Sequence, residues 1–170
     1  EPLALAILEQ LADSASPEEL AEAYTDAEKG VETVEDALQG ANDIIAEWIS
    51  DDAAIRKVMR ELVMRQGIMT TAAATEEDSV YRLYYDFKSA LNKLQGHQVL
   101  AINRGEKEEQ LKVSLRAPEE AIRGYLCSKI LLRPSRCEDY LRAAIDDSYS
   151  RLIAPSVERE IRADLFDIYL

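Results

Sequence analysis

The sequence predicts an all-α fold, built as an array of several helices with at most a small β element. Apolar residues recur every three or four positions over most of the chain, which is the spacing of one face of an α-helix. Capping residues, prolines and glycines fall between these segments, where helices start and stop. Only residues 111–116 alternate apolar and polar side chains as a half-buried strand does.

Three helices are predicted in the first third of the chain. Residues 3–11 form an amphipathic segment that we expect to end near Asp13 and Ser14. Residues 16–19, Ser-Pro-Glu-Glu, supply an N-cap, a proline in the first turn and a capping-box glutamate, and they predict a short second helix. A wide apolar stripe across residues 33–49 predicts a longer third helix.

The middle of the chain is less regular. After a turn at residues 50–52, a fourth helix is predicted that stops at Gly67. Residues 68–75 carry no charge, and their sequence does not distinguish between a strand, a loop and a wing. Thr75, followed by three acids, predicts the N-cap of a long helix whose apolar stripe continues to Gly96.

Five further elements are predicted after Gly96. Val99, Leu100 and Ile102 indicate a short helix, and the strand at 111–116 follows it. Helices are then expected from Pro118 toward Ile130, from Tyr140 to Leu152 with a break before Pro155, and from Val157 to the end. The last helix has no C-cap, and we expect the chain to be part of a longer protein.

Charge divides the chain unevenly. The 170 residues contain 33 acidic and 20 basic side chains, for a net charge of −13. Residues 1–55 hold 15 acids and one base, whereas residues 56–170 hold 18 acids and 19 bases, so the two parts sum to −14 and +1. Any anion-binding surface is therefore expected in the second part. The absence of a long apolar stretch argues against a membrane protein, and two cysteines without a framework favour an intracellular, soluble one.

The residue types that usually carry catalysis or metal binding have simpler explanations here. His97 is the one histidine and has no catalytic motif around it, so we interpret it as a cap or packing residue. Cys127 and Cys137 lack zinc-site spacing and are expected to be partly or fully buried thiols. The sequence predicts no enzyme, no cofactor and no metal site.

Paired acids and one glycine-containing loop also have structural explanations. In Asp51-Asp52 and Asp146-Asp147, neighbouring side chains on a helix point in different directions, which disfavours a shared metal ion. The stretch 103–107 has a single glycine and no Walker lysine-threonine pair, so it is not a phosphate loop. Tyrosines at 81, 84 and 85 are interpreted as core residues.

Basic residues give the candidate nucleic-acid contacts. Arg56, Lys57 and Arg60 lie on one side of the fourth helix, and residues 33–75 resemble a helix-turn-helix whose second helix would approach phosphates. A solvated face with ion pairs such as Lys57 to Glu61 is the alternative. Arg104 and Lys107, with Lys112 nearby, form a second basic region that Glu106, Glu108 and Glu109 dilute.

Three blocks of the sequence resemble the bacterial Tex transcription accessory proteins. The first runs from Asp26 to Val31 and continues through 41–47, the second is His97 with 101–107, and the third is 149–162, Tyr-Ser-Arg-Leu-Ile-Ala-Pro-Ser-Val-Glu-Arg-Glu-Ile-Arg. The blocks keep the family's order and cover nearly the whole chain. The sequence is therefore identified as a fragment, residues 1–170, of the N-terminal helical region of such a protein.

The resemblance implies a cytoplasmic, non-catalytic factor that binds RNA or DNA through the longer parent. The parent would also contain a resolvase-like domain, helix-hairpin-helix elements and a C-terminal OB-fold domain, all outside these 170 residues. Its partners would be those domains of the same chain and the transcription machinery. This segment would then serve mainly as a helical scaffold with weak RNA or DNA contact.

Two departures from the family pattern weaken the case for phosphate contacts by this segment. Residues 95–98 are Gln-Gly-His-Gln where relatives often have Pro-Ser-His-Arg, and residues 70–74 lack the lysines that relatives tend to place there. Each lost cation lowers affinity for a polyanion. The alternative hypothesis is an acidic protein–protein interaction module, since the −14 first third would suit a basic partner.

Overall fold

The computed structural model describes residues 1–10 and 15–168, which form helices and one small antiparallel sheet. The helices are α1 (Pro2–Glu9), α2 (Pro17–Ala21), α3 (Val34–Asp51), α4 (Ala53–Gln66), α5 (Gly96–Lys107), α6 (Glu119–Ile130), α7 (Glu138–Asp147) and α8 (Ala154–Ile168). The strands are β1 (Ile68–Ala73), β2 (Asp86–Ala90) and β3 (Leu111–Arg116). Two compact units divide the chain: residues 1–56 with 120–155, and residues 57–119 with the chain from Ser156 onward.

Helix α3 is the centre of the first unit's core. Its apolar stripe packs against α1, α2, α7 and the turn that follows α7. The buried side chains of this core include Leu3, Ile7, Ala41, Ile45, Ile49, Leu141 and Ile145. The predicted third helix is confirmed, and burial of its stripe is what stabilises it.

The predicted helix starts in the first unit are also confirmed. The Glu19 backbone N–H donates to the Ser16 hydroxyl at 3.2 Å, and the Ser16 N–H donates back to the Glu19 carboxylate at 3.3 Å. These two bonds complete the capping box of α2. Asp52 caps α4 because its carboxylate accepts the Ile55 N–H at 3.0 Å.

Gln10 fixes the end of α1 in a way the sequence did not reveal. It follows α1 with a left-handed φ of 53° and is 2% exposed. Its amide donates to the Ile130 carbonyl at 2.6 Å and accepts the Leu132 N–H at 3.1 Å. The ends of α1 and α6 are thereby joined. The predicted end near Asp13 and Ser14 lies outside the described residues.

The second unit is built around the sheet, in the order β2-β1-β3. Both neighbours run antiparallel to β1, with Thr70 opposite Lys88 on β2 and Ser114 on β3. Met69 and Leu111 lie on the buried face, and α5 packs against β3. The predicted strand at 111–116 is confirmed, and the open stretch 68–75 is resolved as β1 over most of its length.

The long helix predicted from Thr75 to Gly96 is wrong. Thr75 instead accepts the Glu77 N–H at 3.2 Å in a local turn, and residues 86–90 pair with β1 as β2. Val80 and Leu83, two residues in this stretch, are 88% and 81% exposed. The apolar spacing fitted a helix, but pairing with β1 outweighed local propensity.

The predicted break before Pro155 is also wrong, because a π-helical turn at Ser148–Ile153 carries α7 into α8. The Ala154 N–H donates to the Tyr149 carbonyl, five residues earlier. Pro155 is the second residue of α8 and has no N–H to donate to a carbonyl of the preceding turn, so the helix continues although one backbone hydrogen bond is missing there.

The stretch 33–75 contains α3 and α4, separated by Asp52, and then β1. Its interpretation as a helix-turn-helix stays a prediction. The all-α class holds only in its broad form, because helices predominate in the described residues but a three-stranded sheet accompanies them. None of the described helices is both long and apolar enough to cross a membrane.

Candidate nucleic-acid interface

The first two predicted contacts lie in the first turn and a half of α4. Arg56 is half-buried, and its guanidinium donates to the Ser50 carbonyl at 3.1 Å, so part of its hydrogen-bonding capacity serves the fold. Lys57 is exposed and forms no ion pair with the residues that the structure describes. Of these two, Lys57 is the side chain with its charge available to a ligand.

Arg60 is engaged by carboxylates of α8. Its Nε lies 3.8 Å from a Glu160 oxygen, and its Nη2 contacts the Asp164 carboxylate. All three side chains are about half exposed, so the pairs contribute at most about 1 kcal/mol each. A phosphate at Arg60 would have to compete with two acids of the chain. These acids lie about a hundred positions away along the chain, which is why sequence spacing could not show them.

Arg104 and Lys107 occupy the last turn of α5 and are exposed. Neither forms an ion pair with a described residue, although Glu106 between them pairs with Arg162 of α8. The helix dipole favours cations in the last turn of a helix. Both residues therefore have a structural explanation as well as a functional one. Their availability nevertheless fits the predicted second basic region.

His97 lies at the other end of α5, in its first turn, and is exposed. It lines a shallow pocket with Val80, Tyr81 and Arg104. Burial raises the pKa of the Tyr81 hydroxyl, and a hydrogen bond with Glu108 adds to the shift. In the described part of the chain, no three histidine, cysteine or carboxylate side chains cluster as a metal site would require.

The paired acids have separate structural partners. Asp147 accepts hydrogen bonds from Arg151, at 2.9 and 3.1 Å, and from the Asn42 amide at 3.1 Å. These bonds, above all that from Arg151, hold the pKa of Asp147 below its ordinary value of 3.8. Asp146 pairs instead with Arg123 at 3.2 Å. The two carboxylates therefore support packing of different elements.

Residues of the blocks that resemble Tex proteins hold the first unit together. Asn42 of α3 reaches Asp147 at the end of α7, and the fully buried Ser148 hydroxyl donates to the Ala46 carbonyl at 2.7 Å. In the second unit, Gly105 lies against Leu111 and Tyr81. Close packing at these positions explains why these side chains are small or polar.

One group of basic residues was missed by sequence reasoning. The outer face of the sheet, defined here as the basic sheet face, carries Lys88 of β2 and Lys112 and Arg116 of β3. Alternation in 111–116 placed Lys112 and Arg116 on one side of a strand. Lys88 could not be joined to them because its segment was predicted as a helix.

The described residues thus form helices and one three-stranded antiparallel sheet, with exposed cations on α4, on α5 and on the sheet. Residues 12–167 match the Tex central region-like family, so the chain belongs to that family.

Three relatives show the range of this similarity. An uncharacterized protein of Bacillus subtilis, YdcI, is 43% identical over 150 residues, which is 85% of this chain and 21% of the relative. S1 RNA-binding domain-containing protein 1 of Pongo abelii is 28% identical over 81% of this chain and 15% of its own length. Transcription elongation factor SPT6 homolog of Arabidopsis thaliana is 26% identical over 96% of this chain and 11% of its own. The chain spans about a fifth of these relatives or less.

Proposed function

We propose that the chain is a non-catalytic segment of a nucleic-acid-binding transcription accessory protein, and that it acts mainly as a helical scaffold. The names of two relatives, one RNA-binding and one a transcription elongation factor, support the class of parent. Its partners are then RNA or DNA through the full-length protein, the other domains of that protein and the transcription machinery. A cytoplasmic location follows for a bacterial protein of this kind.

The observation that carries the scaffold role is the packing contact of three residues of the matched blocks, Asn42, Ala46 and Arg151, with Asp147 and Ser148, which directly precede the third block. Asn42, Asp147 and Arg151 form one hydrogen-bonded group, and Ser148 is bonded to α3 in the core. A buried hydroxyl of this kind is costly to leave unpaired, so the group fixes α3 against α7. The candidate cation Arg60 is likewise held by acids of α8.

The test is fluorescence anisotropy of labelled single-stranded RNA and duplex DNA with this chain, at about 50 and 200 mM salt. A scaffold with weak contact gives dissociation constants in the usual non-specific range, about 10⁻⁴–10⁻⁶ M, that rise with salt. Nanomolar binding of one sequence at both salt concentrations would contradict the scaffold role. The non-catalytic part is tested by incubating the same oligonucleotides with Mg²⁺, where any turnover that scales with protein contradicts it.

Charge reversal tests the candidate contacts. Lys57→Glu, Arg104→Glu and Lys107→Glu together should weaken binding several-fold and flatten its salt dependence. These three positions are exposed, so the substitutions leave the core intact. Arg60→Glu is less suitable, because it would place a third acid beside Glu160 and Asp164.

A second candidate function, the acidic protein–protein interaction module, is favoured by a groove in the first unit. The groove holds about 480 Å³, has an apolar floor that includes Leu3, Ala41 and Ile44, and has Asp26 and Asp36 at its rim. Residues 1–56 and 120–155 contain 20 acids and 8 bases. By charge complementarity, its occupant would be a basic amphipathic helix of a protein partner.

A lysine-leucine amphipathic peptide serves as the probe for this groove. Gly40→Lys places a cation on the groove wall, where no atom lies within 4 Å of the added Cβ. Gly124→Lys is the matched control, since that position in α6 is equally open and lies outside the groove. Binding that weakens only in the Gly40 variant supports the module, and equal binding by both variants contradicts it.

A further inference from the structure

The basic sheet face is a regular array set by the antiparallel register. Ile68, Thr70 and Ala72 of β1 form its central row, and each is flanked by one residue of β2 and one of β3. The three cross-strand rows are Ala90–Ile68–Arg116, Lys88–Thr70–Ser114 and Asp86–Ala72–Lys112. Three cations and one acid therefore share this face.

Burial shows that this face is directed to solvent. Lys88, Lys112 and Arg116 are exposed, whereas Met69 and Thr71, which alternate with the central row, are 0% and 4% exposed. Because side chains alternate along a strand, a one-residue shift of β2 would bury Lys88, and the same shift of β3 would bury Lys112 and Arg116. The hydrophobic core thus fixes their position on the outside.

These cations have no acidic partner within the described residues. Other basic side chains often do: the arginines held in ion pairs are Arg60, Arg82, Arg123, Arg136, Arg142, Arg151 and Arg162. Lys88, Lys112 and Arg116 form no such pair, even though acids outnumber bases 33 to 20 in the chain. Asp86 is on the same face, but it forms no ion pair with Lys112 across Ala72.

The spacing of these cations suits an extended polyanion. Lys112 and Arg116 are four residues apart on one strand, about 14 Å between Cα atoms, and Lys88 lies two strands away at roughly 10 Å from β3. Small side chains, those of Ala72, Thr70 and Ser114, fill the space between them. The Ser114 hydroxyl is a further donor for phosphate oxygens, whereas the Thr70 hydroxyl donates to the Ser114 carbonyl at 3.5 Å.

We infer that the basic sheet face binds the sugar-phosphate backbone of single-stranded RNA. Lys88, Lys112 and Arg116 contact phosphates, and the low surface between them lets the strand lie across the sheet. The face has no aromatic residue in its three rows, so it lacks a platform for base stacking and binds without sequence preference. This inference rests on the proposed function and adds the sheet to the candidate RNA contacts on α4 and α5.

The test compares two triple variants in anisotropy titrations with labelled oligouridylate. The sheet variant is Lys88→Gln, Lys112→Gln, Arg116→Gln, and the matched control is Lys29→Gln, Lys93→Gln, Arg133→Gln, which also removes three exposed cations but none of the candidate contacts. Three phosphate contacts on a single strand give a salt slope of about −2, or about 20-fold weaker binding from 50 to 200 mM salt. The sheet variant should lose most of this dependence, and the control should keep it.

Three results would overturn the inference. The wild-type chain could show no salt-dependent RNA binding, or the control variant could lose binding while the sheet variant keeps it. Polyglutamate could also displace the labelled RNA as well as unlabelled RNA does. If the triple variant misfolds, the single Gln variants still test the inference. Each of them should reduce the magnitude of the salt slope by about 0.7. The parent protein separates the two proposals. A parent that binds no nucleic acid refutes the proposed function, whereas a parent whose binding is unchanged by the sheet substitutions refutes only this inference.

Discussion

Gly105→Ala should destabilise the second unit, because α5 packs on β3 without room for a side chain. A Cβ at Gly105 would lie 2.5 Å from Leu111 Cδ1, 2.8 Å from Leu111 Cγ and 3.2 Å from Tyr81 Cδ1. Leu111 and Tyr81 are 3% and 5% exposed, so neither can move into solvent. The helix or the strand must shift to accept the methyl group.

The size of the effect is a difference of two opposing contributions. Overpacking a core by one methyl group typically costs about 1–3 kcal/mol. Alanine in a helix is favoured over glycine by about 0.5–1 kcal/mol, because glycine loses more backbone entropy on folding. The net free energy of unfolding should therefore fall by about 1–2 kcal/mol.

Urea unfolding followed by far-UV circular dichroism measures this change. With a slope of about 1–3 kcal/mol per molar urea, the midpoint should fall by roughly 0.5–1 M. Gly40→Ala is the control, since α3 offers open space there and the same substitution should raise stability by about 0.5–1 kcal/mol. A Gly105→Ala protein as stable as the wild type would refute the packing argument.

Three more substitutions test polar contacts of the first unit by urea unfolding. Gln10→Ala removes two part-buried hydrogen bonds, to the Ile130 carbonyl and from the Leu132 N–H, and leaves these two groups bonded only to each other. It should cost about 1–3 kcal/mol, whereas a loss below about 0.5 kcal/mol would mean that water replaces the amide. Tyr140→Phe removes the hydroxyl that donates to the Leu38 carbonyl and should cost about 1 kcal/mol. Since burial raises the pKa of Tyr140 to about 12 from 10.0, the wild type should lose more stability than the variant from pH 10 to 12, while Tyr81, whose pKa is also raised, contributes equally to both; equal losses would contradict this. Asp147→Asn should cost at most about 1 kcal/mol at pH 7, because Arg151 is half exposed. Because the pKa of Asp147 is lowered in the folded protein, the stability lost in the Asn variant should vanish as pH falls below 3.8. A difference in stability that does not depend on pH would exclude the ion pair as its cause.

Part of the candidate site could be predicted from the sequence. Arg56, Lys57 and Arg60 were placed on the predicted fourth helix, and alternation placed Lys112 and Arg116 on one face of a strand. Arg104 and Lys107 were assigned to no element, although α5 extends through both. The partners of Arg60 and the position of Lys88 could not be predicted. Both depend on contacts between segments that are distant along the chain, and a single sequence contains no signal for such contacts.

The sequence by itself determined most helix positions, the caps at Ser16 and Asp52, and strand β3, because these depend on interactions within a few residues. Tertiary structure decided the rest. Residues 86–90 have helical apolar spacing but gain more by hydrogen bonding along β1. Pro155 signals a helix end, yet the helix continues through the π-helical turn, which is closed by the hydrogen bond from the Ala154 N–H to the Tyr149 carbonyl and buries Tyr149 and Ile153. In both cases the free energy gained from contacts between distant segments exceeds the local preference. That preference is worth between about 1 kcal/mol and a few kcal/mol.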